Sequence, residues 1–241
     1  MGNKIRIYIN YAVLLILAIL FLAKFGKPAL LRTYIDLGIG TCEKIPILCL
    51  TPEKETIRPQ VNREYLSQLT RYELSGIEIY APKTFKVINE KVNKVYYKRY
   101  PRKHTGSVMY LLNKKPNFFV ELFPKIIKEG IKNDLEFLNR TMAARTRDIN
   151  NLTDTFFVIM KSIFTPNLGD ENNLKIIPFA LGDKNGFITY NLAQTENYFD
   201  CDMIDSRGEY FKVYIKDKAA ELDLEKVMTI ISTVKKLAET S

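Results

Sequence analysis

The sequence has little of the chemistry on which most enzymes depend. It contains one histidine, His104, and three cysteines among 241 residues. A single histidine cannot form a histidine-based metal cluster within one chain, and a serine or cysteine triad would have to use it as the base. The sequence also lacks the GxSxG, GxxxxGK, GxGxxG and CxxC patterns of hydrolases, nucleotide-binding proteins and thiol redox proteins. We therefore predict no cofactor and no metal ion, and we favour a binding protein over an enzyme.

Carboxylates are the remaining source of acid–base or metal chemistry. Asp200 and Asp202 alternate with Phe199, Cys201 and Met203. This alternation predicts a strand whose apolar side chains face inward, with Cys201 as a small core residue. It also predicts that both aspartates lie on the solvent face of the strand, where a metal site is not expected.

Long apolar runs are scarce too, and the sequence has one, at residues 7–23. The run carries no charge, and as a helix it would be roughly 26 Å long, close to the thickness of the hydrocarbon core of a bilayer. We predict that residues 1–25 comprise a short cytoplasmic tail and a transmembrane signal anchor, and that residues 7–23 contact the lipid bilayer. Charge follows the run where a cleavage site needs small neutral residues, so we expect the anchor to be retained.

The basic residues around this run do not decide its orientation. Lys4 and Arg6 precede the run, as in a signal anchor, but Lys24, Lys27 and Arg32 come after it. A short N-terminal tail with a single span most simply exports the rest of the chain. We therefore predict a single-pass membrane protein with an extracytoplasmic soluble domain.

Residues 26–75 have the composition of a connector. Four prolines interrupt the segment, and residues 63–69 suit a short helix. Cys42 and Cys49 lie in this connector, separated by six residues. In an oxidising compartment they could close a small disulfide ring, and otherwise they would be two ordinary thiols; the sequence leaves both readings open.

The positive charge of the chain is concentrated in one stretch. The formal net charge is +9, and residues 86–115 hold nine lysines and arginines against Glu90 alone, which gives +8 for that stretch. Within it we expect strands at residues 95–100 and 107–112, joined by a basic turn into a hairpin. The candidate binding residues of this basic hairpin are Lys98, Arg99, Arg102, Lys103 and His104.

The basic hairpin has a functional and a structural interpretation. Tyrosines are interleaved with its charges, so it could bind anionic lipid headgroups, an acidic protein partner or a phosphorylated polymer. Alternatively, it is a solubilising face whose charged edge discourages association between sheets. We do not expect nucleic acid as a partner, because an exported domain seldom meets it and no nucleic-acid-binding signature is present.

Residues 76–241 are predicted to form one soluble α+β domain with a mainly antiparallel sheet covered by helices. Extended segments at residues 77–80 and 85–88 precede the hairpin, and residues 174–181, 187–192, 198–204 and 210–216 form a four-strand meander. A helical insertion spans residues 117–164, with a break at Pro124 and N-caps at Asn133 and Asn151. Asp223 caps a final helix, which extends to Leu237 and lies across one face of the sheet.

This order of elements resembles the PsbP-like α-β-α sandwich. The resemblance covers residues 76–237 and rests on the opening GIEIYAPKTF, the strand YFKVYIKDK and the closing LDLEKVMTIISTVKKL. The chain departs from the family pattern at Phe85, where the aromatic residue after the proline is frequently tryptophan, and in its long helical insertion. Members of the family look like accessory and binding proteins, so the resemblance implies a binding role and supplies no ligand.

The sequence supports two functional hypotheses. The first is a non-enzymatic, anchored accessory domain that contacts a protein partner or a membrane surface through the basic hairpin. The second is a carboxylate-based hydrolase or a small-ligand carrier with a cleft between the sheet and the inserted helices. A deep pocket with converging ionisable side chains would favour the second, and a filled interior would favour the first.

Overall fold

The computed structural model describes residues 26–74, 76–89, 106–165, 174–192 and 196–237. The predicted anchor at residues 7–23 and the predicted strand at residues 95–100 lie outside these ranges. Within them, no helix is both long enough and apolar enough to cross a membrane.

The described residues form six α-helices, three 3₁₀ segments and nine strands. The helices are α1 (Lys27–Gly38), α2 (Arg63–Gln68), α3 (Phe118–Leu122), α4 (Asp134–Ala143), α5 (Leu152–Phe164) and α6 (Leu224–Ser232), and the 3₁₀ segments are Pro46–Leu48, Pro124–Glu129 and Thr146–Asp148. The strands are β1 (Thr70–Leu74), β2 (Ile77–Ala81), β3 (Lys86–Asn89), β4 (Val108–Lys114), β5 (Lys175–Leu181), β6 (Lys184–Leu192), β7 (Asn197–Ile204), β8 (Tyr210–Asp217) and β9 (Lys235–Lys236).

Six strands form the main sheet, in the order β3-β4-β8-β7-β6-β5. Strands β5 to β8 are the predicted antiparallel meander, which is confirmed. Its first turn is tighter than predicted, because β6 begins at Lys184 and leaves Gly182 and Asp183 to make the turn. Gly182 has a positive φ of 61°, which glycine adopts without strain. Strand β4 pairs antiparallel with β8, and β3 pairs parallel with β4. Both edges of residues 108–111 are therefore occupied by described strands, and the prediction that residues 107–112 form a hairpin with residues 95–100 is wrong.

Both faces of the main sheet are covered. On one face, side chains such as Phe199, Cys201 and Met203 share a core with α6 and β2. On the other face, Phe187 and Tyr210 share a second core with α1, α3, α4 and α5, which we call the helical layer. The predicted α+β class, with a mainly antiparallel sheet covered by helices, is confirmed.

The helix ends agree with the local signals in the sequence. The side chains of Asn133, Asn151 and Asp223 each accept a hydrogen bond from the backbone N–H three residues further on, at 2.9, 2.9 and 2.8 Å. Pro124 separates α3 from a 3₁₀ segment, and Gly130 ends that segment in the left-handed region with a φ of 86°. The predicted break and caps are therefore confirmed.

A second sheet, in the order β1-β2-β9, packs against α6. Its first strand falls within the predicted connector. The predicted extension of the final helix to Leu237 is wrong, because α6 ends at Ser232 and residues 235–236 pair with β2. Val234 lies in this turn and is fully buried, so its side chain packs in the sheet core although it is not part of a helix.

The connector also covers one edge of the main sheet. Ile57 forms an isolated bridge with Phe179 on β5. Its N–H donates to the carbonyl of Pro178 at 2.9 Å, and its carbonyl accepts from the N–H of Ala180 at 3.0 Å. Proline is tolerated on an edge strand, and a covered edge cannot pair with another sheet.

Candidate functional site

The basic residues predicted to bind a partner, Lys98, Arg99, Arg102, Lys103 and His104, lie outside the described residues. Their role stays a prediction. Five other features carry chemistry or a concave surface within the described ranges: a disulfide loop, the buried Lys161, a buried charge cluster, a polar depression and an open apolar groove.

The disulfide loop comes directly after α1. Cys42 and Cys49 are bonded to each other, with their Cα atoms 5.7 Å apart. The hydroxyl oxygen of Thr146 lies 3.2 Å from each sulfur atom, and Ile47 within the loop is buried in the core of the helical layer. The sequence is compatible with either a disulfide or two free thiols, and in the structure the two cysteines form a disulfide. The loop that they close packs against the helical layer.

Lys161 on α5 ties the end of this loop to the helices. The residue is 0% exposed, and its ammonium donates to the carbonyls of Leu50 at 2.6 Å and Ala144 at 2.9 Å. No carboxylate in the described ranges forms a salt bridge with it. Burial lowers the pKa of Lys161 to about 7, and the nearby charge of Arg145 adds to the shift. A lysine four residues after Phe157, on the apolar side of a helix, was the signal in the sequence for such a buried cation.

A charge cluster made of Asp200, Asp202 and Lys212 lies between the main sheet and the helical layer. The Lys212 ammonium is 2.7 Å from a carboxylate oxygen of Asp200 and 2.9 Å from both carboxylate oxygens of Asp202. It also donates to the carbonyl of Phe164 at 2.7 Å, and the Tyr210 hydroxyl donates to Asp202. Both aspartates are 0% exposed and Lys212 is 2% exposed.

The prediction that Asp200 and Asp202 face solvent is therefore wrong. The inward positions predicted for Phe199, Cys201 and Met203 are confirmed, since all three are 0% exposed. Strand alternation places the aspartates on the opposite face, but it does not say what covers that face. The inserted helices cover it, and the carboxylates then need a cation, because an unpaired buried charge is strongly unfavourable.

The three groups of the cluster shift one another's pKa. Burial raises the pKa of Asp200, and Asp202 adds to the rise while Lys212 opposes it. Burial alone would lower the pKa of Lys212, but the two carboxylates outweigh it and raise that pKa. One carboxylate oxygen of Asp200 is buried with no hydrogen-bond partner in the described part of the chain. Two carboxylates facing one ammonium leave a net charge of −1, so Asp200 is the group that most readily holds a neutralising proton.

The space around this cluster is filled. Phe119 stacks on Phe137 with ring centroids 4.9 Å apart and meets Tyr210 edge-on at 4.9 Å. A cavity of about 20 Å³ adjoins Tyr210 and Lys212, which is room for about one water molecule. Among the residues with described positions, His, Cys, Asp and Glu side chains form no group of three that could hold a metal ion. The ionisable groups converge, but the cavity beside them is too small for a substrate.

A polar depression of about 410 Å³ lies between the end of α4 and the start of α5. Arg140 pairs with Asp154 at 2.9 Å, and Arg145 pairs with Asp148. Because these charges are matched within the depression, it has no excess charge that would select an ionic ligand.

The apolar groove is a concave surface of about 520 Å³. It lies between the α3–Pro124 region and the start of α5. Its apolar lining is Leu122, Phe123, Pro124, Ile126, Leu152 and Phe156. Leu122 is 45% exposed and Leu152 is 66% exposed at its rim. A concave apolar surface with exposed leucines at its rim is typical of a binding site.

No family model matches the chain, and no curated protein matches it in sequence.

Proposed function

We propose that this chain is a single-pass, membrane-anchored accessory protein whose folded domain binds a protein partner on the extracytoplasmic side. Residues 7–23 act as the anchor, and the domain acts by binding and not by catalysis. The proposed contacts are the apolar groove and the basic residues Lys98, Arg99, Arg102, Lys103 and His104.

The observation that carries the proposal is the contrast between the open apolar groove and the buried charge cluster. Asp200, Asp202 and Lys212 are the residues best suited to acid–base chemistry, but their surroundings leave room for about one water molecule. The groove is open, and Leu122 and Leu152 are exposed at its rim. An apolar segment of a partner that covers them would remove their apolar surface from water, which favours binding. This arrangement favours binding over hydrolysis.

The disulfide supports the extracytoplasmic location. Bonds such as Cys42–Cys49 persist in oxidising compartments and are rare where thiols are kept reduced.

We also propose that the folded domain is a PsbP-like α-β-α sandwich, and the layered architecture supports this. The helical layer, the main sheet and α6 with the second sheet are stacked in the order of an α-β-α sandwich. Members of that family look like accessory proteins, which agrees with a domain that presents a groove and keeps its charges buried.

Site-specific photo-crosslinking in intact cells provides this test. We replace Leu152 with benzoylphenylalanine in the full chain and use Val61, which is 37% exposed, as the matched control position. Val61 precedes Asn62, which bonds to α6 on the other side of the main sheet. We expect a discrete protein adduct at position 152 and none at position 61. Leu122→Glu should reduce the adduct at least about tenfold, because a carboxylate placed in the groove loses hydration when the partner binds.

Two results would contradict the proposal. One is an equal adduct pattern at positions 152 and 61, or none at either. The other is a hydrolytic activity of the purified chain that Asp200→Asn abolishes while the chain stays folded, which would favour the carboxylate hydrolase.

A further inference from the structure

Helix α1 is apolar on two sides. On one side Leu31 and Ile35 pack into the core of the helical layer, and Ile35 is 0% exposed. On the other side Leu30, Tyr34 and Leu37 are 73%, 64% and 85% exposed. Their spacing of four and three residues puts them in one stripe, turned roughly 130° around the helix from Ile35 at 100° per residue. We call these three residues the outer stripe.

The outer stripe has no cover among the described residues. Surface helices of soluble domains usually keep one apolar side for the core and charged residues on the opposite side. Helix α1 instead has two leucines and a tyrosine there, and Asp36 is its only acidic residue. An apolar side that the domain itself does not use indicates an apolar neighbour outside the domain.

The position of α1 in the chain identifies this neighbour. The apolar run ends at residue 23, and α1 begins at Lys27. Four Cα–Cα steps span at most roughly 14 Å even when fully extended. If residues 7–23 cross a bilayer, the first turn of α1 is held within or directly above the headgroup region, which is several ångströms thick on each side.

We propose that α1 lies along the membrane surface, with the outer stripe inserted between the lipid headgroups and the upper part of the acyl chains. This inference rests on the proposed anchoring by residues 7–23. Tyr34 suits such a position, because its ring is apolar and its hydroxyl can stay hydrated. Lys27 at the start of the helix adds attraction to anionic headgroups, as does Lys24 three residues earlier in the sequence.

Membrane contact through α1 would also set the orientation of the domain. Arg32 donates to the carbonyl of Ile149 at 3.3 Å, and the disulfide loop packs against Thr146. Since α1 is attached to the helical layer in this way, the part of that layer around Thr146 and the disulfide loop lies nearest the bilayer, and α6 with the second sheet lies on the far side of the main sheet.

The absence of tryptophan from the sequence makes a direct test possible. A single tryptophan introduced into the full chain is the only indole, and its fluorescence is quenched by lipids brominated near the top of the acyl chain. We compare Leu37→Trp in the outer stripe with two exposed controls in vesicles of phosphatidylcholine and phosphatidylglycerol. The controls are Ala29→Trp, turned about 100° away from Leu30 on the same helix, and Val61→Trp on the opposite layer.

We expect brominated lipid to reduce the emission of Leu37→Trp about twofold or more, because interfacial helices bury their apolar side about 5–10 Å into the headgroup and acyl boundary. Ala29→Trp should lose clearly less, and Val61→Trp should be unaffected. All three variants should float with the vesicles to the same extent as the parent chain.

The failure of this inference can be told apart from failure of the anchor. If the variants float but Leu37→Trp and Val61→Trp are quenched equally, the anchor stands and the surface position of α1 is wrong. An emission of Leu37→Trp that is shifted to the blue, insensitive to bromine and lost on dilution would show that a second copy of the chain covers the stripe, and would also overturn the inference. If the parent chain does not float, the anchoring proposal fails first.

Discussion

Removal of the Lys212 ammonium should be among the most damaging single substitutions in this protein. Lys212→Met keeps an unbranched side chain of similar length, but it leaves Asp200 and Asp202, both 0% exposed, without a cation. Breaking a buried ion pair by removing one partner costs about 3–5 kcal/mol. For a chain of this size, each kcal/mol lowers the melting temperature by about 2–4 °C, so we expect a decrease of about 6–20 °C.

The control for this substitution lies on the same strand. Lys216 is 26% exposed at its side chain and pairs with Glu196 at 3.2 Å. Because a partly exposed pair contributes about 0–1 kcal/mol, Lys216→Met should change the free energy of unfolding by less than about 1 kcal/mol. A triple variant, Lys212→Met with Asp200→Leu and Asp202→Met, should regain most of the loss, since apolar replacement of a buried ion cluster is often neutral.

Urea unfolding of the full chain in detergent, monitored by circular dichroism, measures these differences. We expect the order parent, triple variant, Lys212→Met from most to least stable. A cost below about 1 kcal/mol for Lys212→Met would refute the view that the cluster is a desolvated structural unit. A triple variant no more stable than Lys212→Met would refute the view that the carboxylates are harmful without their cation.

Three further predictions concern other parts of the fold. Burial lowers the pKa of Lys161 to about 7, so between pH 7 and pH 9 the unfolded chain binds a proton that the folded chain has lost. This group should therefore make the fold about 2 kcal/mol more stable at pH 9 than at pH 7. Urea unfolding at the two pH values measures this difference, and Lys161→Met should remove it. Reduction of the disulfide between Cys42 and Cys49, which closes a short loop, should lower the free energy of unfolding by about 2–3 kcal/mol, and an unchanged melting temperature in reductant would contradict this. Gly186→Ala should lower the free energy of unfolding by at least about 2 kcal/mol in the same assay, because the added Cβ would overlap the backbone oxygen of Asp202 on β7. Wild-type stability of this variant would mean that β6 and β7 are further apart than described.

The parts of the fold that can be predicted from the sequence are those set by neighbouring residues. The meander from β5 to β8 is predictable because strand alternation and turn residues are local signals. The caps at Asn133, Asn151 and Asp223 are predictable for the same reason, since each side chain bonds three residues further on.

The parts that cannot be predicted in this way depend on distant pairing. The apolar residues keep helical spacing as far as Leu237, but α6 ends five residues earlier, at Ser232, because residues 235–236 pair with β2. The charge cluster illustrates the same limit, because the alternation in β7 gives the side of the strand on which Asp200 lies but not the layer that covers it. The apolar groove also needs α3 and α5 to meet, and the local sequence of either helix does not predict that meeting.

Protease accessibility tests the central claim most directly. The full chain carries an epitope after Ser241, and protease is added to intact cells from which any outer envelope has been removed. We predict that the chain sediments with membranes, is released by detergent, and loses the epitope to external protease. Protection of the epitope until the membrane is permeabilised, or recovery of the intact chain in the soluble fraction without detergent, would contradict an extracytoplasmic domain held by residues 7–23.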